Sequence, residues 1–205
     1  MGAVLALEAL LDARRLWRGH AAASKSGDGL HPTGHPALDA SLPQGGWPGS
    51  ALIEILLPLD GVGELALVFP SLARLTQAGQ RVVLIAPPYR VHAPGWAHAG
   101  IVLSQLQVVQ ASARDVLWAM EQCLRSAACA AVLCWPARAD DRALRRLQVA
   151  AETGQCLGFA FRDAKHAHNP SPAALRVQLE PGTRQVRVLK CRGGLAPAQP
   201  IALAS

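Results

Sequence analysis

The 205-residue chain is poor in several residue types, and each shortage excludes a class of protein. Aromatic residues make up only 4% and charged residues 17%, whereas 51% are hydrophobic, which excludes wholesale disorder. No apolar run reaches the 18 residues of a membrane span, so we expect no membrane association. The basic residues of the N-terminus follow its apolar stretch, the reverse of a secretory signal, and this order predicts a cytoplasmic protein.

Metal sites and disulfides also lack their usual patterns. The five cysteines are odd in number and show no C-x-x-C spacing. His31 and His35 are four residues apart, but the prolines and glycine around them do not suit a helical ligand pair. The sequence therefore predicts no metal site and no disulfide framework.

Lysine is scarce, and the positive charge lies in one half of the chain. Seventeen of the 20 basic residues are arginines, and the net charge is +6. Residues 1–100 hold seven basic and seven acidic groups, whereas residues 101–205 hold thirteen and seven. Arginine pairs with carboxylate and phosphate in a fork geometry, so an acidic protein or nucleic acid is a conceivable partner. Biased codon usage and a solvated surface explain the excess as simply.

Apolar segments of strand length alternate with helical patterns, which predicts an α/β fold with a mostly parallel sheet flanked by helices. Two alternating segments around Pro181 and Gly182 predict a C-terminal antiparallel hairpin. The predicted strands are 51–57, 81–86, 106–109, 130–135, 155–161, 175–180 and 185–191. The predicted helices are 3–17, 64–77 (kinked or interrupted at Pro70), 94–99, 112–126 (capped by Ser112) and 140–154 (ended by Gly154). We divide the chain into an N-terminal helical arm (1–20), a linker (21–36), one α/β domain (37–192) and a flexible tail (193–205).

The loop after the first strand stands where an α/β protein would hold a nucleotide, but its residues do not suit one. A P-loop reads G-x-x-x-x-G-K-[ST], in which the lysine reaches the terminal phosphates and the hydroxyl binds Mg²⁺. Here Leu57 replaces the first glycine, Gly63 is retained, Glu64 stands at the lysine position and Leu65 at the hydroxyl position. We therefore predict no bound cofactor, no catalytic residue and no enzyme. A weak ATP-binding protein or ATPase with an unusual loop is the alternative.

Three short blocks before this loop resemble a known family. Residues 33–39 (TGHPALD), 45–48 (GGWP) and 53–55 (IEI) are similar to the segment that leads into the P-loop of RecA recombinases. The resemblance covers residues 31–192 more weakly. It implies a RecA-like core that has lost its ATPase, that is, a pseudo-ATPase.

Further motifs resemble the ImuA family, which is also described as SulA-like. They are residues 16–20 (LWRGH), 61–65 (GVGEL), 85–88 (IAPP), 144–152 (LRRLQVAAE) and 171–181 (SPAALRVQLEP), together with 32–39 (PTGHPALD) and 45–48 (GGWP). The resemblance implies an accessory role in SOS-induced translesion DNA synthesis. Its implied partners are an ImuB-like inactive Y-family polymerase homologue, an error-prone replicative-type polymerase and RecA. The alternative is a SulA-type cell division inhibitor that binds FtsZ.

Two groups of residues are candidate partner-binding sites. Leu16, Trp17 and Arg18 end the N-terminal helix and either contact a partner or second copy, or pack on their own domain. The other group is Arg142, Arg145 and Arg146, on a helix whose solvated face would explain them equally well.

A candidate DNA-contacting loop covers residues 162–172. The resemblance to RecA-like proteins places such a loop here, and its positive charge comes from Arg162, Lys165, His166 and His168. It lacks an aromatic residue for base stacking, so direct DNA contact is left open. Trp47, Trp96, Trp118 and Trp135 are predicted to be packing residues. Trp135, at a strand end, is the most suitable of them to face a ligand.

Overall fold

A computed structural model describes residues 31–180 and 182–203, which form an eight-stranded sheet flanked by helices. The strands are β1 Leu52–Leu57, β2 Val82–Ile85, β3 Leu106–Val109, β4 Ala131–Cys134, β5 Leu157–Asp163, β6 Leu175–Leu179, β7 Gln185–Cys191 and β8 Ile201–Ala202. The helices are α1 Pro36–Ser41, α2 Glu64–Gln77, α3 Ala93–His98, α4 Val116–Arg125 and α5 Asp141–Gly154, with 3-10 turns at Leu103–Gln105 and Ala164–His166. None of the described helices is long and apolar enough to cross a membrane.

The sheet has the strand order β3-β2-β4-β5-β1-β6-β7-β8. The neighbours from β3 to β6 run parallel, whereas β6, β7 and β8 pair antiparallel. All residues of β1, β2 and β4 are buried because the sheet is covered on both faces, as expected of parallel strands. The predicted mixed α/β class, the mostly parallel sheet and the C-terminal hairpin are confirmed.

Three local features of the helices differ from the predictions. Helix α2 is continuous through Pro70, so no interruption occurs there. Helix α4 begins at Val116 rather than near Ser112, whose hydroxyl donates a hydrogen bond to Asp115 Oδ2 at 2.6 Å instead of capping a helix at 112. At the end of α5 the left-handed residue is Gln155 (φ 50°), not Gly154. Gly154 is required for another reason: a Cβ there would lie 1.8 Å from the Leu124 carbonyl oxygen.

The segments on either side of the predicted domain are packed against it where the structure describes them. The Trp47 N–H donates to the His31 carbonyl at 2.8 Å, and Thr33 and His35 are buried. Within the predicted tail, β8 pairs with β7 and Ile201 is buried because it reaches the apolar core. The structured domain therefore extends beyond 37–192 in both directions. The predicted N-terminal arm (1–20) lies outside the described residues.

Candidate functional site

An open cleft of about 550 Å³ lies at the carboxyl ends of the parallel strands. The loops after β1, β2, β3 and β4 and the end of β5 all contribute to it, since parallel strands present these ends at one edge of the sheet. Its inner wall includes Trp135, whose ring stacks on Phe161 with centroids 4.6 Å apart. Trp135 therefore lines the cleft, and its contact with a ligand stays a prediction.

The loop from β1 to α2 forms one side of the cleft and holds an internal carboxylate. Gly61 and Gly63 have positive φ angles of 83° and 93°, which L side chains rarely adopt. The buried Glu64 carboxylate accepts a hydrogen bond from the Gly61 N–H at 3.2 Å. A backbone N–H that a P-loop would offer to phosphate is thus already bonded to an anion of the chain itself.

The alignment of this loop with a P-loop needs one correction. Leu57 is the last residue of β1 and is buried, so it belongs to the strand and not to the loop. Counted back from Gly63, the first-glycine position falls on Pro58, which has no N–H to donate. Leu65, at the hydroxyl position, packs against the core. The loop therefore departs from the phosphate-binding pattern at Pro58, Glu64 and Leu65.

Beneath the cleft lies a buried ionic cluster that the sequence analysis missed. Glu54 in β1 is fully buried, and its carboxylate lies 2.5 Å from Arg162 of β5 and 2.9 Å from Arg176 of β6. These three residues meet because β1 pairs with both β5 and β6, with Glu54 opposite Arg176. A glutamate in an otherwise apolar strand was the available signal, since a buried carboxylate requires cationic partners.

Arg176 also fixes the loop that follows β5. Its guanidinium donates to the carbonyls of His166, Ala167 and Asn169 at 2.8–3.1 Å. The ionic cluster therefore sets the shape of the segment in which we predicted DNA contact.

The structure separates the four residues proposed to carry positive charge in that segment. Arg162 is 5% exposed and is bound to Glu54 and the Ala139 carbonyl, so it is not part of an exposed DNA-contacting surface. Lys165 is exposed and lies 2.7 Å from Asp163. Partial burial and the neighbouring Arg162 and Lys165 lower the pKa of His166, so its charge develops at a lower pH than in an ordinary histidine. His168 is exposed.

Three exposed apolar side chains, here called the apolar rim, lie on the loops that line the cleft: Leu59, Val62 and Tyr89. Their exposed fractions are 64%, 37% and 61%. The Tyr89 ring lies beside the loop: a Cβ placed on Gly61 would be 3.7 Å from the nearest ring atom. Exposed apolar groups gathered at one place are typical of a surface that binds another molecule. The sequence placed Leu59 and Val62 in a loop but gave no sign that Tyr89 would join them.

The three predicted arginines lie together on the outer face of α5. Arg145 pairs with Asp141 at 3.5 Å, and Arg146 reaches Glu121 of α4 at 3.4 Å. Arg142 has no ion pair among the described residues. Trp118 on the adjoining α4 is 64% exposed, so its predicted packing role is wrong, whereas Trp47 and Trp96 are buried as predicted. The candidates Leu16, Trp17 and Arg18 lie outside the described residues.

The cysteines of the described part of the chain form no disulfide with one another. All five are free thiols, and no group of three potential ligands is placed to hold a metal ion among the described residues. Burial raises the pKa of Cys134 to about 12, which disfavours the thiolate form needed for nucleophilic chemistry.

Most of the residues that line this cleft fall in a segment that matches one protein family. The family model described as "Cell division inhibitor SulA" matches residues 58–158. Residues 58–158 are SulA-like. The crystal structure of SulA from Pseudomonas aeruginosa is 25% identical, covers 54% of this chain and 96% of its own, and has a TM-score of 0.46. No curated protein sequence matches the chain.

The SulA-like segment has a definite place in the fold. It begins at the loop after β1 and ends within β5, and it therefore contains the apolar rim, Glu64, Trp135 and the arginines of α5. Glu54, Arg162 and Arg176 lie outside it. The match supports a SulA-like character, and the more specific ImuA assignment is not confirmed by it.

Proposed function

We propose that this chain is a non-catalytic cell division inhibitor that binds FtsZ, in the manner implied for SulA-type proteins. The observation that carries the proposal is the SulA family match, because its range contains the apolar rim. Leu59, Val62 and Tyr89 offer a protein partner an apolar contact whose burial stabilises a complex. Expression during the SOS response is part of the same proposal.

A binding role accords with the chemistry of the cleft. Glu64 takes the place of the phosphate-binding lysine, and its carboxylate would repel a triphosphate. The pseudo-ATPase interpretation predicts that titration of the full chain with ATP and Mg²⁺ gives no saturable binding. Tight ATP binding that Glu64→Ala or Leu65→Ala abolishes would favour the ATPase alternative instead.

Capture by FtsZ tests the division-inhibitor proposal. We expect the full chain to bind immobilised FtsZ and to slow its polymerisation. Leu59→Asp should weaken binding about tenfold or more, because it places a charge in the apolar contact. Val149→Asp is the matched control, since Val149 is 50% exposed on α5, away from the rim. Failure of the wild-type chain to bind FtsZ, or equal weakening by both substitutions, would contradict the proposal.

The ImuA-type accessory role is the second candidate, and the extent of the fold favours it. Much of the domain lies outside the SulA-like range: residues 31–57 supply α1 and the central strand β1, and residues 175–202 supply β6, β7 and β8. Trp47 from the first of these regions stacks edge-on against Phe159 and donates a hydrogen bond to Ser71 at 2.8 Å. The RecA-like blocks at 33–39, 45–48 and 53–55 fall in the first of these regions, and the ImuA-like block at 171–181 overlaps the second, whereas the block at 144–152 lies inside the SulA-like range.

Capture of candidate partners distinguishes the division-inhibitor role from the translesion role. The same immobilised chain is offered FtsZ, an ImuB-like polymerase homologue, an error-prone replicative-type polymerase and RecA. Capture of the ImuB-like protein without FtsZ would assign the translesion role and displace the division-inhibitor proposal. Capture of FtsZ alone would do the opposite.

A further inference from the structure

The inner wall of the cleft carries buried N–H donors without acceptors. Trp135 Nε1 is buried and has no hydrogen-bond partner among the described residues. Arg162 Nε is likewise buried and unpartnered within the part of the chain that the structure describes, and Arg162 is only 5% exposed. Both residues line the same cleft. A buried donor without a partner costs free energy, so two at one site favour the binding of an acceptor there, either a water molecule or an acceptor group of a ligand.

The charges behind this wall favour an anionic acceptor. Glu54 supplies one carboxylate to two buried guanidinium groups, those of Arg162 and Arg176, so the buried cluster keeps one uncompensated positive charge. Around the mouth, Lys165 is positive and Asp60 and Asp163 are negative. Asp163 pairs with Lys165, and all three are exposed, so solvent screens them more than it screens the inner wall.

We propose that the cleft binds a compact oxyanion, a carboxylate or phosphate group, through Trp135 Nε1 and Arg162 Nε. The stacked rings of Trp135 and Phe161 hold the indole N–H in a fixed direction, which limits the entropy lost on binding. The β1–α2 loop lines the same cleft, but its Gly61 N–H is not available to the anion because it already donates to Glu64. A nucleoside triphosphate is therefore not the expected ligand.

Two sources can provide such a group: a free small anion, or an acidic side chain of a bound protein. Both sources present an oxyanion that accepts hydrogen bonds from two N–H groups. The inference does not require FtsZ binding, so either proposal can fail while the other stands.

Indole N–H resonances of the ¹⁵N-labelled full chain provide a direct test. Sodium phosphate and N-acetyl-glutamate amide are titrated separately at constant ionic strength, with sodium chloride as the reference salt. Trp135→Phe identifies the Trp135 signal and removes its donor while it retains a stacking ring. Trp96→Phe is the matched control, because Trp96 is also buried and packs edge-on against Phe69.

We expect the Trp135 signal to shift saturably with at least one of the two anions and not with chloride. Trp135→Phe should weaken anion binding about fivefold or more, as expected for the loss of one hydrogen bond to a charged acceptor. Lys165→Gln should change it less than about twofold, since Lys165 is exposed and already paired. Absence of a saturable shift with both anions, or equal weakening by Trp135→Phe and Trp96→Phe, overturns the proposal.

Partner capture then separates the two sources. If the anion site is a receptor for a partner's acidic residue, Trp135→Phe weakens both anion binding and capture of the protein partner. If the ligand is a free small anion, the substitution weakens anion binding alone. Both results support the oxyanion site, whereas unchanged anion binding in Trp135→Phe contradicts it.

Discussion

Two buried glutamates define the cleft at the scale of single residues, and they act in different ways. Glu64 satisfies a loop N–H and thereby fills a position that a phosphate would need. Glu54 joins three strands by pairing with arginines from both strands that flank β1. The first carboxylate explains why the loop is unsuited to a nucleotide. The second explains how a loop distant in sequence is held over the cleft.

Loss of the Glu54 charge should be costly. In Glu54→Gln, two buried guanidinium groups would have no carboxylate, and we expect the free energy of unfolding to fall by roughly 3 kcal/mol or more. Urea unfolding followed by circular dichroism measures this loss. Asp141→Asn is the control, because Asp141 pairs with Arg145 at the surface and its loss should cost under about 1 kcal/mol. Similar losses in the two variants would argue against a structural role for the buried cluster.

The His166 imidazole should make the stability of the domain depend on pH. Burial and the adjacent Arg162 and Lys165 lower its pKa in the folded state below the ordinary value of 6.5. The unfolded chain therefore binds the proton more readily, so stability falls as the pH drops through 6.5 towards the folded pKa. We expect a small effect, because the side chain is only partly buried. Unfolding measured at pH 7.5 and 5.5 should show a smaller decrease for His166→Ala than for the wild-type chain, and an equal decrease would contradict the assignment.

At the scale of elements, the sequence predicted the strands whose apolar residues mark them locally. It missed the element boundaries and the short strand that depend on tertiary contacts. The buried strands β1, β2 and β4 were recognisable because both faces are covered and their residues are almost all apolar. The start of α4 was misplaced because Ser112 bonds Asp115 within a turn. Strand β8 has two residues, and only its pairing with β7 and the burial of Ile201 distinguish it from a tail.

The start of α5 is an element boundary whose energy can be measured. Asp140 Oδ1 accepts the Ala143 N–H at 2.7 Å and so satisfies one of the free donors of the first turn. Asp140→Ala should reduce the free energy of unfolding by about 1 kcal/mol, the usual cost of losing an N-cap. Asp141→Ala is the matched control, because its exposed pair with Arg145 is worth only a few tenths of a kcal/mol. A larger loss from Asp141→Ala than from Asp140→Ala would show that the cap is not the stabilising contact.

At the scale of the whole molecule, the candidate site was only partly predictable. The sequence identified the unsuitable loop and the position of Trp135, because each depends on residues close together in the chain. It placed Arg162 at the surface, since nothing local shows that Glu54, more than a hundred positions earlier, lies on the adjacent strand. The apolar rim likewise combines two separate loops. Contacts of this kind follow from strand order and register rather than from composition.

The charge of the whole molecule now leads to a prediction about DNA. The second half contains the entire +6 excess, but Arg162 and Arg176 are buried and most of its other basic groups have acidic partners. Within the described residues, Arg138, Arg142 and Arg184 are the basic groups of this half for which neither an ion pair nor a hydrogen bond is found. Few phosphates can therefore be neutralised without breaking internal pairs.

We accordingly expect weak binding of single-stranded DNA with a shallow salt dependence. Contacts from two or three arginines give a slope of log K against log salt of about −2 or shallower, since each phosphate contact contributes roughly −0.7. The slope is measured by the fluorescence anisotropy of a labelled oligonucleotide at salt concentrations from about 50 to about 200 mM. Arg142→Gln should reduce its magnitude by about 0.7, whereas Arg145→Gln should change it less because Arg145 already pairs with Asp141. A slope of about −4 or steeper would mean that DNA recruits the paired arginines as well, and that the excess charge of the second half serves nucleic acid rather than the fold.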